Sequence, residues 1–345
     1  MSNIYVNGCG AVSPAGWGIA PLRAVMANAT PLPSKPLARP GWERPLTVRQ
    51  VPPPEPRPAF LAHARLRRTS PITQYVVSAA LEALGGDAPA VKNGTLTLGI
   101  VLCAMSGCVN YSRRFYDEAL RDPATASPLI FPETVFNAPS SHLATLLGTP
   151  AMNYTIIGDP GTYLQGLALG AQWLVEGRVD GCLVVGAEEC DWLTSDAFHH
   201  FSRQLVLSDG AGAIYLKRDT GTPNPIELKC VTEPCLFTKG QRRSRAVKQV
   251  RAKLPPSAAN HLLSDSFQNI PRFDAAEANA WQDWTGGRLS AKTILGEGLM
   301  AAAAWQCVLA IDALKQERYA AASVSVVGCN QQAIGAHFVN SAFKS

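Results

Sequence analysis

The sequence predicts an α/β protein built from two similar halves. Strand-like and helix-like segments alternate along its 345 residues, the pattern of mixed layers. Five strand candidates fall on each side of a Pro/Gly/Thr-rich stretch at 218–225, which has the composition of a linker. Two long Ala- and Gly-rich helices stand at matching places in the two halves.

The strand candidates of the first half are 3–8, 96–103, 152–157, 181–186 and 213–216. Those of the second half are 226–231, 262–264, 291–294, 323–327 and 336–339. Each is a short aliphatic run between turn-forming residues. The first helix carries a stripe of Leu164, Leu167, Ala168, Ala171, Leu174 and Val175 at helical spacing. The second carries Met300, Ala303, Ala304, Cys307, Ile311 and Leu314. Small residues on both stripes allow close approach to another layer. The reading divides the chain into halves 1–220 and 221–345.

Residues 31–58 contain ten prolines and no period. Proline blocks helix interiors and central strands, so this stretch reads as an extended surface loop, or as partly disordered. A proline-rich ligand for a recognition domain is the alternative. Residues 239–253 carry seven basic residues and no acid. They read as a solvated helix face or as a docking patch for an acidic partner.

Composition narrows the class. The chain is 47% apolar and 17% charged, enough for a large core. Net charge is +5, a mild excess that is compatible with an acidic protein partner and too weak to argue for DNA, so no nucleic-acid partner is expected. No run of 18 apolar residues occurs and the start lacks a basic, apolar leader, so the expectation is a cytoplasmic chain without a membrane span. Nine cysteines lie mostly in apolar runs with no C-x-x-C pair. They read as reduced thiols, with no metal site and no cofactor.

Several segments, taken in order, resemble the β-ketoacyl synthases of fatty-acid and polyketide synthesis. They are VNGCGAVSPAGWG at the start, FPETVFNAPSSHLATLLG, CLVVGAEE, LSDGAGAIYL and SAKTILGEGLMAAAA. The resemblance covers nearly the whole chain, with losses after Glu189 and around Ser266. It implies a thiolase-like fold: two stacked βα half-domains in α-β-α-β-α layers, usually dimeric.

The resemblance also implies a machinery that this chain lacks. The family uses a cysteine at a helix N-terminus, two histidines and a glycine-rich gating loop. Counting back from Glu176-Gly-Arg-Val-Asp180 puts Pro160 at the cysteine position. A slip of one residue would give Asp159 or Gly161, neither of which is a thioester-forming nucleophile. Asp159 and Pro160 suit an N-cap and a first helical residue. Ser266 falls at the first histidine, and no histidine lies between 262 and 336. Glu297 replaces the second histidine. Lys292 matches the family lysine and is expected to pair with Glu297. The gating loop reads Cys329-Asn330-Gln331-Gln332, without glycine, which predicts a stiff loop. His142 reads as structural and His199-His200 as surface residues.

A folded family member without this machinery resembles the chain-length factor. That subunit partners an active ketosynthase in type II polyketide systems, including those making aryl polyenes. In this reading Leu129, Ile130 and Phe131 reach towards the partner's acyl tunnel, with Phe136 and Met105 of the same kind. The plainer alternative for them is interface packing. Arg242, Arg243, Arg245 and Lys248 would face acyl carrier protein. Two competing readings remain. One is an acyltransferase or hydrolase using Glu297, Lys292 or Cys329. The other is a homodimeric scaffold binding acyl chains or carrier protein.

Overall fold

The computed structural model describes residues 3–150, 152–221, 223–237, 240–329 and 331–343. Thr222 of the linker, Lys239 of the basic segment and Asn330 of the gating-loop position lie outside them. The first part of the chain forms β1 (Tyr5–Ser13), β2 (Gly16–Trp17), α1 (Ile19–Asn28), β3 (Lys35–Leu37), β4 (Leu46–Arg49), α2 (Pro71–Leu84), α3 (Ala88–Lys92), β5 (Leu98–Ala104), α4 (Val109–Arg121), α5 (Ala138–Leu147), β6 (Met152–Ile157), α6 (Thr162–Val175), β7 (Gly181–Glu188), α7 (Trp192–His199), β8 (Leu207–Ser208) and β9 (Gly210–Lys217). The remainder forms β10 (Ile226–Val231), β11 (Cys235–Leu236), α8 (Gly240–Lys253), β12 (His261–Ser264), α9 (Pro271–Ala280), β13 (Gly287–Leu289), α10 (Ala291–Leu295), α11 (Met300–Lys315), β14 (Ala321–Val327) and β15 (Gln332–Asn340).

One strand order occurs twice. The first sheet runs β1-β9-β7-β5-β6, and the second runs β10-β15-β14-β12-β13. In each, the first strand of the half lies at one edge beside the last, and the third lies at the other edge. The two sheets touch through the antiparallel pairs Tyr5–Glu227 and Val6–Ile226.

Helices α6 and α11 lie between the sheets, because each packs on strands of both. Every residue of α11 from Met300 to Leu314 is buried, as expected for a helix covered on all sides. Close packing requires the bare backbone of Gly186 and Gly212. A Cβ there would lie 2.5 Å from the Met300 carbonyl oxygen and 2.7 Å from Ala304 Cβ, respectively. Helix α2 covers the outer face of the first sheet, and α8 packs on β15 outside the second. The layers are therefore α-β-α-β-α.

Two expectations need correction. Residues 291–294 belong to helix α10, and the third strand of the second half is the shorter β13. The proline-rich segment is not a free loop. Its β3 and β4 pair with each other, and β4 joins β8 through Val48–Leu207 and Arg49–Ser208. Arg49 Nε donates to the Leu32 carbonyl at 2.7 Å, and Leu32 N donates to Ile294 O at 3.0 Å. These bonds give the segment's backbone polar groups partners in the body of the protein.

Candidate functional site

The start of α6 is assembled from two distant stretches. Asp159 follows β6, and its Oδ1 accepts from Gly161 N at 3.0 Å, an Asx-type turn. The helix proper begins at Thr162, whose N–H donates to the Asp159 carbonyl at 2.8 Å. Pro160 thus sits in the turn before the helix and is buried there, instead of forming its first residue. The second stretch is Gln332, at the start of β15. Its Nε2 donates to Asp159 Oδ1 at 3.0 Å and to Thr162 Oγ1 at 3.2 Å, and its Oε1 accepts from Gln165 at 3.2 Å. The amide leaves no room above the helix start. A Cβ on Gly161 would lie 2.9 Å from Gln332 Cγ. Burial pushes the Asp159 carboxyl up, and the Gln332 and Gly161 donors oppose that shift.

Lys292 and Glu297 meet beside this turn, with Nζ 2.7 Å from Oε2 and both side chains shut from water. The other carboxylate oxygen accepts from Leu299 N at 2.8 Å, holding a left-handed turn (φ 50°) just before α11. Backbone bonds from Glu297 N to Val206 O (2.9 Å) and from Ser208 N to Glu297 O (3.0 Å) tie the residue to β8. Burial disfavours the Lys292 charge, but Glu297 outweighs it and holds the ammonium above its ordinary range. Burial, then Glu297, pushes the Cys329 thiol up, so it stays protonated at neutral pH.

Between Glu297, Cys329 and Arg243, beside Phe198, Phe201 and Phe273, lies a cavity of only about 20 Å³. That is room for about one water and none for an acyl chain. A second recess, of about 230 Å³, reaches Lys292 and Glu297 from the Pro31 and Gln204 side. Ser266 is locked in a separate network. Its N–H donates to Glu277 Oε2 at 3.0 Å and its Oγ to Ser325 O at 3.0 Å, while Val327 N donates to that Oγ at 2.9 Å. Burial and the neighbouring Asp265 push the Glu277 carboxyl up. His142 pairs with Glu133 at 2.9 Å.

No protein-family model matches the chain, and no curated protein matches it. Solved structures do. The ishigamide ketosynthase/chain length factor matches at 20% identity and TM-score 0.75, over 98% of this chain and 99% of that one. A chain of the ketosynthase ApeO in complex with its chain length factor ApeC, from Xenorhabdus doucetiae, matches at 14% and 0.77, over 99% and 98%. A chain of AntDE:AntF, a type II PKS acyl-carrier protein in complex with its ketosynthase, matches at 13% and 0.78, over 98% and 99%.

This is the ketosynthase fold.

On that fold, the structure brings Pro160, Lys292, Glu297, Cys329 and Gln332 into one region and leaves Ser266 in the adjacent network. Of the tunnel candidates, Ile130 is buried (6% exposed), whereas Leu129 (66%) and Phe131 (56%) face solvent. The Phe131 ring lies 5.3 Å from that of Phe115 on α4. Phe136 wedges under Gly107, where a Cβ would lie 2.6 Å from its ring. Met105 is half-buried against the cluster containing Phe198, Leu207 and Leu299.

On α8, Arg242, Arg245 and Lys248 are exposed. Arg243 is not on that face. It turns inward, donates to the Cys329 carbonyl at 3.2 Å and lies over Phe237 and Phe273. The helix's buried face (Ala246, Val247, Val250) fixes that orientation. Gln332 is the residue whose role the sequence conceals, because a glutamine beside a strand carries no motif. Among the described residues no helix is long and apolar enough to cross a membrane, and no group of His, Cys, Asp or Glu side chains could hold a metal ion.

Proposed function

We propose that this chain is a non-catalytic, chain-length-factor-type subunit that pairs with an active ketosynthase in polyketide or fatty-acid-like chain elongation. The observation that carries the reading is the buried, hydrogen-bonded turn at the position that the resemblance assigns to the nucleophile. Pro160 is buried there, and its neighbours Asp159 and Thr162 are hydrogen-bonded to Gln332. An acyl thioester needs a nucleophile and a cavity; the Cys329 thiol is held protonated, and the space beside it is only about 20 Å³.

The partner surface follows from the first sheet. Strand β6 is an edge strand with Tyr154 and Ile157 exposed. Unpaired strand edges and exposed apolar side chains are the usual substrate of association. Leu129 and Phe131 add two more large apolar side chains. Two of the matching structures contain a chain length factor and a third holds an acyl-carrier protein with its ketosynthase, which supports a ketosynthase and an acyl carrier protein as partners. Arg242, Arg245 and Lys248 are the proposed carrier-facing residues. The working halves are 1–220 and 221–345, and the compartment is the cytoplasm.

Co-expression with a ketosynthase from the same organism tests this. The expected product is a stable one-to-one heterodimer in which only the partner becomes acylated. An acyl label on this chain, removed by Glu297→Gln or Cys329→Ala, would instead establish the altered-enzyme reading.

A further inference from the structure

The proline-rich ribbon forms one wall of a groove that the proposed function does not use. The groove offers about 1,130 Å³ between the β3–β4 ribbon, α7 with the loop after it, and the start of α9. Four arginines line it: Arg39, Arg44, Arg203 and Arg272. The one lining carboxylate, Asp196, is already paired with Arg39 at 2.8 Å. Arg44 and Arg203 are exposed and have no ion-pair partner among the described residues. Arg272 donates to the Phe201 carbonyl and keeps its remaining donors. Arginines so placed present forked N–H groups that match phosphate oxygens in pairs.

The same groove has a built aromatic platform. Trp42 is 63% exposed, an amphipathic ring open to the groove. Its ring is not loose. The Arg39 guanidinium covers one face at 3.8 Å, and Asp196 anchors that guanidinium from behind. The other face is left to receive a planar group. His199 and His200 also line the groove, and His200 reaches Asp196 at 3.9 Å.

We propose that this groove binds a nucleoside phosphate, with the base stacked on the free face of Trp42 and the phosphates held by Arg44, Arg203 and Arg272. A planar ring and a polyanion in one ligand satisfy both halves of the groove. A simple polyanion leaves Trp42 without a role.

The test is calorimetric titration of the full chain with ADP, adenosine and inorganic diphosphate as separate probes. ADP should bind more tightly than either part alone. Trp42→Ala should weaken ADP by roughly tenfold, as loss of one base-stacking contact does, and leave diphosphate unaffected. Arg44→Ala and Arg203→Ala should each weaken both ADP and diphosphate by about tenfold. All three side chains are exposed, so unchanged unfolding midpoints will show that the variants fold. The proposal is overturned if ADP does not bind, if ADP and diphosphate bind equally, or if the variants bind ADP as the wild type does.

Discussion

Replacing Lys292 with methionine removes the cation from a pair sealed inside the protein. The two side chains are 1% and 2% exposed, so water cannot compensate the remaining carboxylate. Breaking a buried pair from one side costs about 3–5 kcal/mol. The loss is confined to the ion pair, because Glu297 keeps its bond from Leu299 N. The double variant Lys292→Met with Glu297→Gln removes both charges and still offers an amide oxygen to Leu299. It should recover to within about 1 kcal/mol of the wild type. Urea unfolding at constant slope measures both losses. A single variant that loses less than about 1 kcal/mol, or a double variant no better than the single, would refute the structural role assigned to this pair.

Three further outcomes follow from the same geometry. Pro160→Cys should acquire no acyl adduct from a thioester substrate, because the position is buried in a turn whose neighbours Asp159 and Thr162 are bonded to Gln332; intact mass measures this, and a stoichiometric adduct would contradict it. Leu129→Glu combined with Phe131→Glu should weaken the heterodimer by more than roughly 30-fold while leaving the unfolding midpoint of the isolated chain unchanged, as expected for interface anchors that are exposed in the monomer. The unfolding midpoint should fall between about pH 6.5 and pH 8. Burial raises Glu188 and Glu189 to about 7, so the folded chain holds protons that the unfolded chain has released. The stability this gives is lost as pH rises through those values. His337, lowered to about 4 by burial, acts in the opposite sense, but only below its unfolded value of about 6.5. A midpoint that stays flat across this window would show that the carboxylates are already ionised.

The α/β layering was legible because it rests on long-range periodicity. The α11 stripe and the aliphatic strand runs survive any local ambiguity. Residues 291–294 were not legible, since an apolar run of four has no period that separates strand from helix. The strand there, β13, is three residues long and carries Arg288. The ribbon at 35–49 was missed for a related reason: its partner, β8, is two residues long and distant in sequence. At the site, the resemblance singled out Pro160, Glu297 and the matching Lys292. What fills the space did not show. Gln332 acts from about 170 positions away, and Arg243 looks like its basic neighbours until the buried face of α8 fixes the helix rotation.

The most direct test of the account combines stoichiometry with labelling. This chain and an active ketosynthase from the same organism should be purified together, incubated with a radiolabelled acyl thioester, and separated after denaturation. The account predicts a one-to-one complex with label on the ketosynthase alone. Label on this chain, or a self-associated form that never takes up the ketosynthase, would contradict it.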